Sequence, residues 1–306
     1  MMHRLFTLVS ETHVHVGEGQ AFAAVDQPVA RESVSLLPFI AGHSQKGAIK
    51  STVALRASDA SLIAAGQVHE LRDQIFGEGN TGAGALLVGD VRLLAIPLRA
   101  SGVLFVWATS PFLLRRLARD LEFASRDTDA KKVNDLVQDL PPIASGSAIL
   151  PDSVRAVHGF GFNLMPFEKR IETATALSRV AGLPDQMEFE RNFAIFNDND
   201  FKTLMEIALP VRARNKLDEN KRSENLWYEE TLPPDTIMTT LFGRRGKVDA
   251  STDIGIEWAC PVDLVLAALE TGASKRRYLQ IGGNETVGQG VFQVFEGPRQ
   301  AEGKGQ

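Results

Sequence analysis

Apolar and polar positions alternate along LFTLVSETHVHVG, from Leu5 to Gly17, and this period of two predicts a strand. In AGHSQKGAIKSTVALRAS the spacing becomes helical, with Ser44 as the expected cap. VHELRDQIFG predicts a second helix that stops at Gly77. ALLVGDVRLLAIPLRA and GVLFVWAT are rich in β-formers on either side of a Ser-Gly turn, which predicts a hairpin. SPFLLRRLARDLEFAS then gives an amphipathic helix capped by Ser110, with Arg115, Arg116 and Arg119 on its polar side. Between about 127 and 200, short strand and helix signals mix with the turn-rich PPIASG and FNDNDF, and the pattern assigns no order there.

Order returns at Ile207. IALPVRARNKL and ENLWYEETLPP flank the polar run DENKRS, which predicts a long β-hairpin over about 207–233 with a basic tip. Trp227 and Tyr228 are adjacent on its second arm and therefore point to opposite faces, one inward and the other free to stack on a base. A helix in VDLVLAALETGA follows, then YLQIGGNETVGQGVFQVFEG, in which strand-forming residues surround a glycine-rich loop. The tail, from about 297 and ending AEGKGQ, is expected to be disordered.

Composition narrows the class. The chain has 306 residues, 44% hydrophobic and 23% charged, which suits a globular protein with a substantial core. No stretch has the length and apolarity of a membrane span, and the N-terminal residues lack a signal-peptide pattern, so the expected location is the cytoplasm. Cys260 is the single cysteine, which excludes an intramolecular disulfide and any multi-cysteine metal site. A net charge of −5 argues mildly against nucleic acid. Yet basic residues cluster between 212 and 222, in GRRGK (243–247) and in SKRR (274–277), although each cluster by itself fits a solvated loop.

Several stretches carry candidate chemistry. In VDQPVARE the Gln27-Pro28 step disfavours helix and removes a ladder donor, so Asp26 should sit on an extended loop. GEGNTGAG (77–84) has the spelling of a dinucleotide turn, but a helical segment precedes it and a strand follows, the reverse of the required order, so it is read as a connection. IGGNETVGQGVF (281–292) carries Gly282, Gly283, Gly288 and Gly290; spacing alone leaves open a plain hairpin turn or a loop whose N–H groups hold a phosphate. His13 and His15 share a face if the segment is a strand, but no third metal ligand accompanies them. Lys46, at the start of its helix, is placed either to meet a phosphate or simply to be solvated. Glu229 and Glu230 directly follow the aromatic pair, where acidic residues require a reason.

Taken in order, THVHVGEG, VDQPVARE, LPFIAGHSQKGAIK, GDVRLLAIP, ENLWYEETLPPDT and GGNETVGQG resemble the backbone subunit family of the type III-B CRISPR effector, subunit four of the Cmr complex, in the Cas-seven-like branch of the RAMP superfamily. The resemblance implies one α+β domain over 1–306: a ferredoxin-like, RRM-type palm with insertions, one of them the hairpin as a thumb. It implies copies stacked head to tail on a guide RNA (crRNA), alongside other Cmr subunits, cutting complementary target RNA at regular intervals. Carried onto this chain, the catalytic residue is Asp26. The RNA-binding positions are His15, Ser44, Gln45, Lys46, Gly282, Gly283, Gly288, Gly290, Trp227 and Tyr228. A divalent ion, Mg²⁺, is the expected cofactor. The competing expectations are a non-catalytic guide-RNA scaffold and a nucleotide enzyme built on GEGNTGAG.

Overall fold

The computed structural model describes residues 2–17, 19, 25–56, 72–78, 82–184, 188–245, 248–249 and 258–298. The beginning of the VHELRDQIFG segment, the centre of GEGNTGAG, the end of GRRGK and the tail beyond 298 lie outside them.

The main elements, in chain order, are β1 (Met2–Ser10), α1 (Gly42–Arg56), β2 (Leu86–Val88), β3 (Val91–Arg99), β4 (Phe105–Thr109), α2 (Pro111–Phe123), α3 (Asp127–Gln138), β5 (Ser147–Ile149), α4 (Arg170–Ala181), β6 (Phe193–Phe196) and α5 (Asp198–Ile207). They continue with β7 (Val211–Leu217), β8 (Ser223–Glu230), β9 (Ile237–Arg244), α6 (Pro261–Leu269), β10 (Arg276–Gln280) and β11 (Val291–Glu296). One large sheet runs β10-β11-β1-β9-β3-β4-β6-β5, with β2 paired to β9; β7 and β8 stand outside it as a separate ribbon.

β1 is central and buried on both faces, more than the half-burial that alternation predicts. Phe6 and Leu8 pack with Ile49 and Val53 of α1 and with Val265 and Leu269 of α6. Leu5 and Val9 pack on the opposite face with Leu114, Leu117 and Leu121 of α2 and Leu177 of α4. Each such fully buried side chain contributes about 1.5–3 kcal/mol of transfer free energy. Thr7, among the apolar residues of the second face, satisfies its hydroxyl by donating to Ala181 O at 2.7 Å.

The segment without legible order proves to be α3, β5, α4, β6 and α5. Phe193–Phe196 is buried at all four positions and runs parallel to β4, so it has no polar face to alternate. Three boundaries shift. The first strand ends at Ser10, and residues 13–16 continue as irregular chain tied to Leu232 and Ala30. Helix α1 opens at Gly42, two residues before the expected Ser44 cap, because Asp90 supplies the capping carboxylate across the fold: Gly42 N donates to Asp90 Oδ1 at 2.7 Å. A Cβ at Gly42 would lie 2.8 Å from Val88 O, so the helix start can approach β2 only with glycine there. Ser110 does occupy the N-cap of α2, although its hydroxyl makes no capping bond. Ile207, expected in the hairpin, instead ends α5, and the paired arms run from Val211↔Glu230 to a bulge after Lys216. Among the described residues no helix is long and apolar enough to cross a membrane.

Candidate functional site

Three chain segments meet at the root of the β7–β8 ribbon. The Asp26 segment runs beside β8 as a third strand: Gln27 N donates to Tyr228 O at 3.0 Å, and Glu230 N donates to Gln27 O at 2.9 Å. Asp26 is exposed, as the Gln-Pro step predicted for a loop, and its Oδ2 accepts from Tyr228 N at 2.8 Å. One carboxylate oxygen is thereby anchored by backbone, and the group is fixed at the point where the ribbon leaves the body.

The two glutamates missed as site residues are structural anchors of this arrangement. Glu230 is buried; its carboxylate accepts from Val29 N at 3.0 Å and from Arg31 Nη2 at 2.9 Å, which clasps the Asp26 segment from its far side. Glu229 is also buried and accepts from Asn284 Nδ2 at 2.7 Å. No local signal could have exposed these partners, since the residues are about 55 to 200 positions apart, although an acidic pair beside an aromatic pair did mark the place.

His15 packs against the same strand. Its Nδ1 lies 2.8 Å from Glu230 O, and since a carbonyl only accepts, Nδ1 carries a proton and donates it there. The Glu229 carboxylate stands 4.0 Å from Nδ1. Gly17 follows closely beneath: a Cβ there would meet His15 Nε2 at 2.8 Å, which accounts for glycine two residues after this histidine. His13 Nδ1 lies 3.2 Å from Thr231 Oγ1, and burial, helped by the charge of Arg212, pushes its pKa below the usual imidazole range.

Cross-strand pairing gives the ribbon two chemically different faces. Arg212, Arg214 and Lys216 lie opposite Glu229, Trp227 and Asn225 on one face, and Ala213 and Asn215 lie opposite Tyr228 and Leu226 on the other. Tyr228 is 46% exposed beside Asp26, whereas Trp227 is half-buried and its indole N–H finds no acceptor among the described residues. The opposite orientation expected of the aromatic pair is therefore realised.

Three of the four N–H groups that a phosphate-holding loop would offer are engaged within the protein. Gly283 N donates to His15 O at 2.9 Å, Gly290 N to His13 O at 2.8 Å and Gly288 N to Glu285 O at 2.9 Å, so these donors are used within the protein. The glycines serve close packing instead: at Gly282, φ is +101° and a Cβ would lie 2.4 Å from His15 O.

At the start of α1 the three expected RNA contacts separate. Gln45 is fully buried and its Oε1 accepts from Thr240 Oγ1 at 3.1 Å, so it belongs to the core and is corrected as an RNA contact. Ser44 and Lys46 remain partly exposed. Lys46 lines a cavity of about 310 Å³ with Arg245 and the backbone of Gly77, Gly82 and Gly84. Burial, then the neighbouring Lys50, lowers its pKa. The described ends of GEGNTGAG, Gly77 and Gly82 to Gly84, lie at this cavity, with helix Arg72–Phe76 before the stretch and β2 after it, which is not the strand–turn–helix order of a dinucleotide site.

Among the described residues no three His, Cys, Asp or Glu side chains form a metal-ligating group. Among the described residues here, the Asp26 oxygen not held by Tyr228 is a carboxylate oxygen open to a divalent ion, which would take the rest of its shell from water or a phosphate-bearing ligand, a sparse donor set of the kind Mg²⁺ accepts.

Comparison with known proteins agrees with this architecture. The model of the RAMP superfamily matches residues 7–293. The chain is 30% identical over 300 residues to the CRISPR system Cmr endoribonuclease Cmr4 of Pyrococcus furiosus, spanning 95% of this chain and 93% of that protein. It is 25% identical over 314 residues to the CRISPR system CMR subunit Cmr4 of Saccharolobus solfataricus, with 94% of each covered. Among solved structures, the crystal structure of oligomeric Cmr4 from Pyrococcus furiosus superposes with a TM-score of 0.69 at 25% identity, covering 98% of this chain and 100% of that one.

Proposed function

Because the chain belongs to the RAMP superfamily, as a Cmr4-type backbone subunit of the type III-B CRISPR effector and an endoribonuclease, we propose that Asp26 is the residue at which it cuts target RNA and that β7–β8 is the thumb that presents the scissile phosphate. The observation that carries this reading is the bond from Tyr228 N to Asp26 Oδ2, which joins an exposed carboxylate of the loop to the root of the ribbon. The strand order β11-β1-β9-β3, with α1 and α6 packed on one face, supports a ferredoxin-like palm. Guide crRNA, target RNA, further copies of this chain and other Cmr subunits are the partners.

In this reading the cut follows the most economical route, in-line attack of the ribose 2′-OH on the adjacent phosphorus, which breaks the bond to the 5′ oxygen and leaves a cyclic phosphate and, once that oxygen takes up a proton, a 5′-OH. A solvated carboxylate is a weak general base at neutral pH, so its position matters more than its basicity. The backbone bond to Oδ2 leaves Oδ1 of Asp26 to accept from the 2′-OH. Tyr228, exposed next to it, offers a ring on which a displaced base can stack. Mg²⁺, when bound, would offset charge on the phosphate oxygens. Base pairing with the guide supplies sequence selection, while the protein contacts backbone and shape.

Mapping the 5′ ends of target fragments from the reconstituted complex tests the reading. Cuts at a regular interval, one per subunit, support a repeating nuclease; a single cut or none leaves the chain as a scaffold. A second expected outcome concerns Lys46. Lys46→Ala weakens guide binding and reduces the slope of log K against log salt by about 0.7 to 1, the share of one phosphate contact. An unchanged slope in filter-binding titrations would mean that Lys46 meets no phosphate.

A further inference from the structure

We propose that Asn284, within the glycine loop, is a positioning residue for the cut: it braces both arms of the thumb root and holds Asp26 in place through β8. This inference rests on the reading of Asp26 given above. The amide of Asn284 faces two ions of opposite sign and matches each with the correct atom. Its Nδ2 donates to Glu229 Oε1 at 2.7 Å and reaches Gln289 Oε1 at 3.3 Å, while its Oδ1 accepts from Arg214 Nη2 at 3.1 Å. Arg214 lies on β7 and Glu229 on β8, so one side chain ties both arms. Between the ions themselves the approach is looser, with Arg214 Nε 3.8 Å from Glu229 Oε2.

The loop is a firm support. Asn284 has a left-handed backbone, φ +63°, which asparagine tolerates better than most residues, and its carbonyl accepts from Val287 N at 3.1 Å and Gln289 N at 3.2 Å. Gly283 and Gly290 fasten the loop to His15 and His13. On the other side, Glu229 sits between Tyr228, whose N–H holds Asp26, and Glu230, whose carboxylate holds Val29 and Arg31. Displacing Glu229 therefore moves the strand that sets the Asp26 carboxylate. Glycines whose N–H groups are spent on protein carbonyls gain a purpose: they shape a loop that delivers one amide to a buried carboxylate.

The test is single-turnover cutting of bound target by the reconstituted complex, with target affinity measured in parallel. Asn284→Gly keeps the positive φ and removes only the brace; Asn284→Asp places a carboxylate against Glu229. Both are expected to cut about 100-fold more slowly, the scale of an ångström misplacement, with target affinity unchanged. Adding Glu229→Gln to Asn284→Asp reverses the polarity of the pair, since the new amide donates to the new carboxylate, and is expected to restore most of the rate. Wild-type cutting by either single variant overturns the proposal, as does a double variant that stays slow, because Glu229 or Asn284 would then act in another way. An Asp26→Asn control separates the two readings: if that control cuts normally, the assignment of Asp26 fails, whatever Asn284 does.

Discussion

Asp26→Asn in the assembled complex is expected to slow target cutting by about 10²- to 10⁴-fold, the range for loss of a general acid–base group, and to leave target binding as it was. The substitution is nearly silent in shape. The amide oxygen of asparagine still accepts from Tyr228 N, which Asp26 Oδ2 meets at 2.8 Å, so the loop stays paired to β8. What is lost is the negative charge and the second acceptor, which becomes an NH₂ donor pointing where the 2′-OH must give up its proton. Initial rates on labelled target, together with equilibrium binding of the same RNA, provide the measurement. Regular cuts at the wild-type rate would place the chemistry on another residue.

The second large effect is expected at Glu230, on stability before activity. Its side chain is 8% exposed and faces the Arg31 guanidinium at 2.9 Å and Val29 N at 3.0 Å. Glu230→Ala removes both acceptors at once. Breaking a buried pair from one side costs about 3–5 kcal/mol, because the partner charge stays behind in a poorly solvated place. The lower end applies here, since Arg31 also donates to Leu36 O at 3.0 Å and Met205 O at 3.0 Å and is not wholly abandoned. At about 2 °C per kcal/mol for a chain this large, the melting temperature should fall by roughly 5 °C or more. Glu230→Gln, which retains one acceptor, should fall by less. Thermal melts of the purified subunit decide the matter, and an alanine variant that melts with the wild type would mean that Glu230 does not clasp the Asp26 segment.

If the proposed Mg²⁺ takes part, the one Asp26 oxygen not held by Tyr228 N is a sparse protein contribution, and such an ion is expected to assemble with the RNA and not with the subunit alone.

Local chemistry determined much of this protein. Alternation placed β1, the Ser-Gly turn joined β3 to β4, and two β-forming arms around a polar run gave the ribbon β7–β8. The Gln27-Pro28 step put Asp26 on an exposed extended segment. Each of these depends on neighbours within a few residues, and such preferences are written in the chain. The tertiary structure alone decided the rest. It moved the cap of α1 from Ser44 to Asp90, 48 residues from the Gly42 N–H it receives, and drew Gln45 into the core against Thr240, 195 residues away. It committed the N–H groups of Gly283, Gly288 and Gly290 to protein carbonyls, and it joined Asp26 to Tyr228 across 202 residues. The physical reason is common to all four: a buried or anchored polar group must find a partner, its own neighbours are committed to secondary structure, and the partner that folding brings within hydrogen-bond distance has no periodicity by which a sequence could announce it.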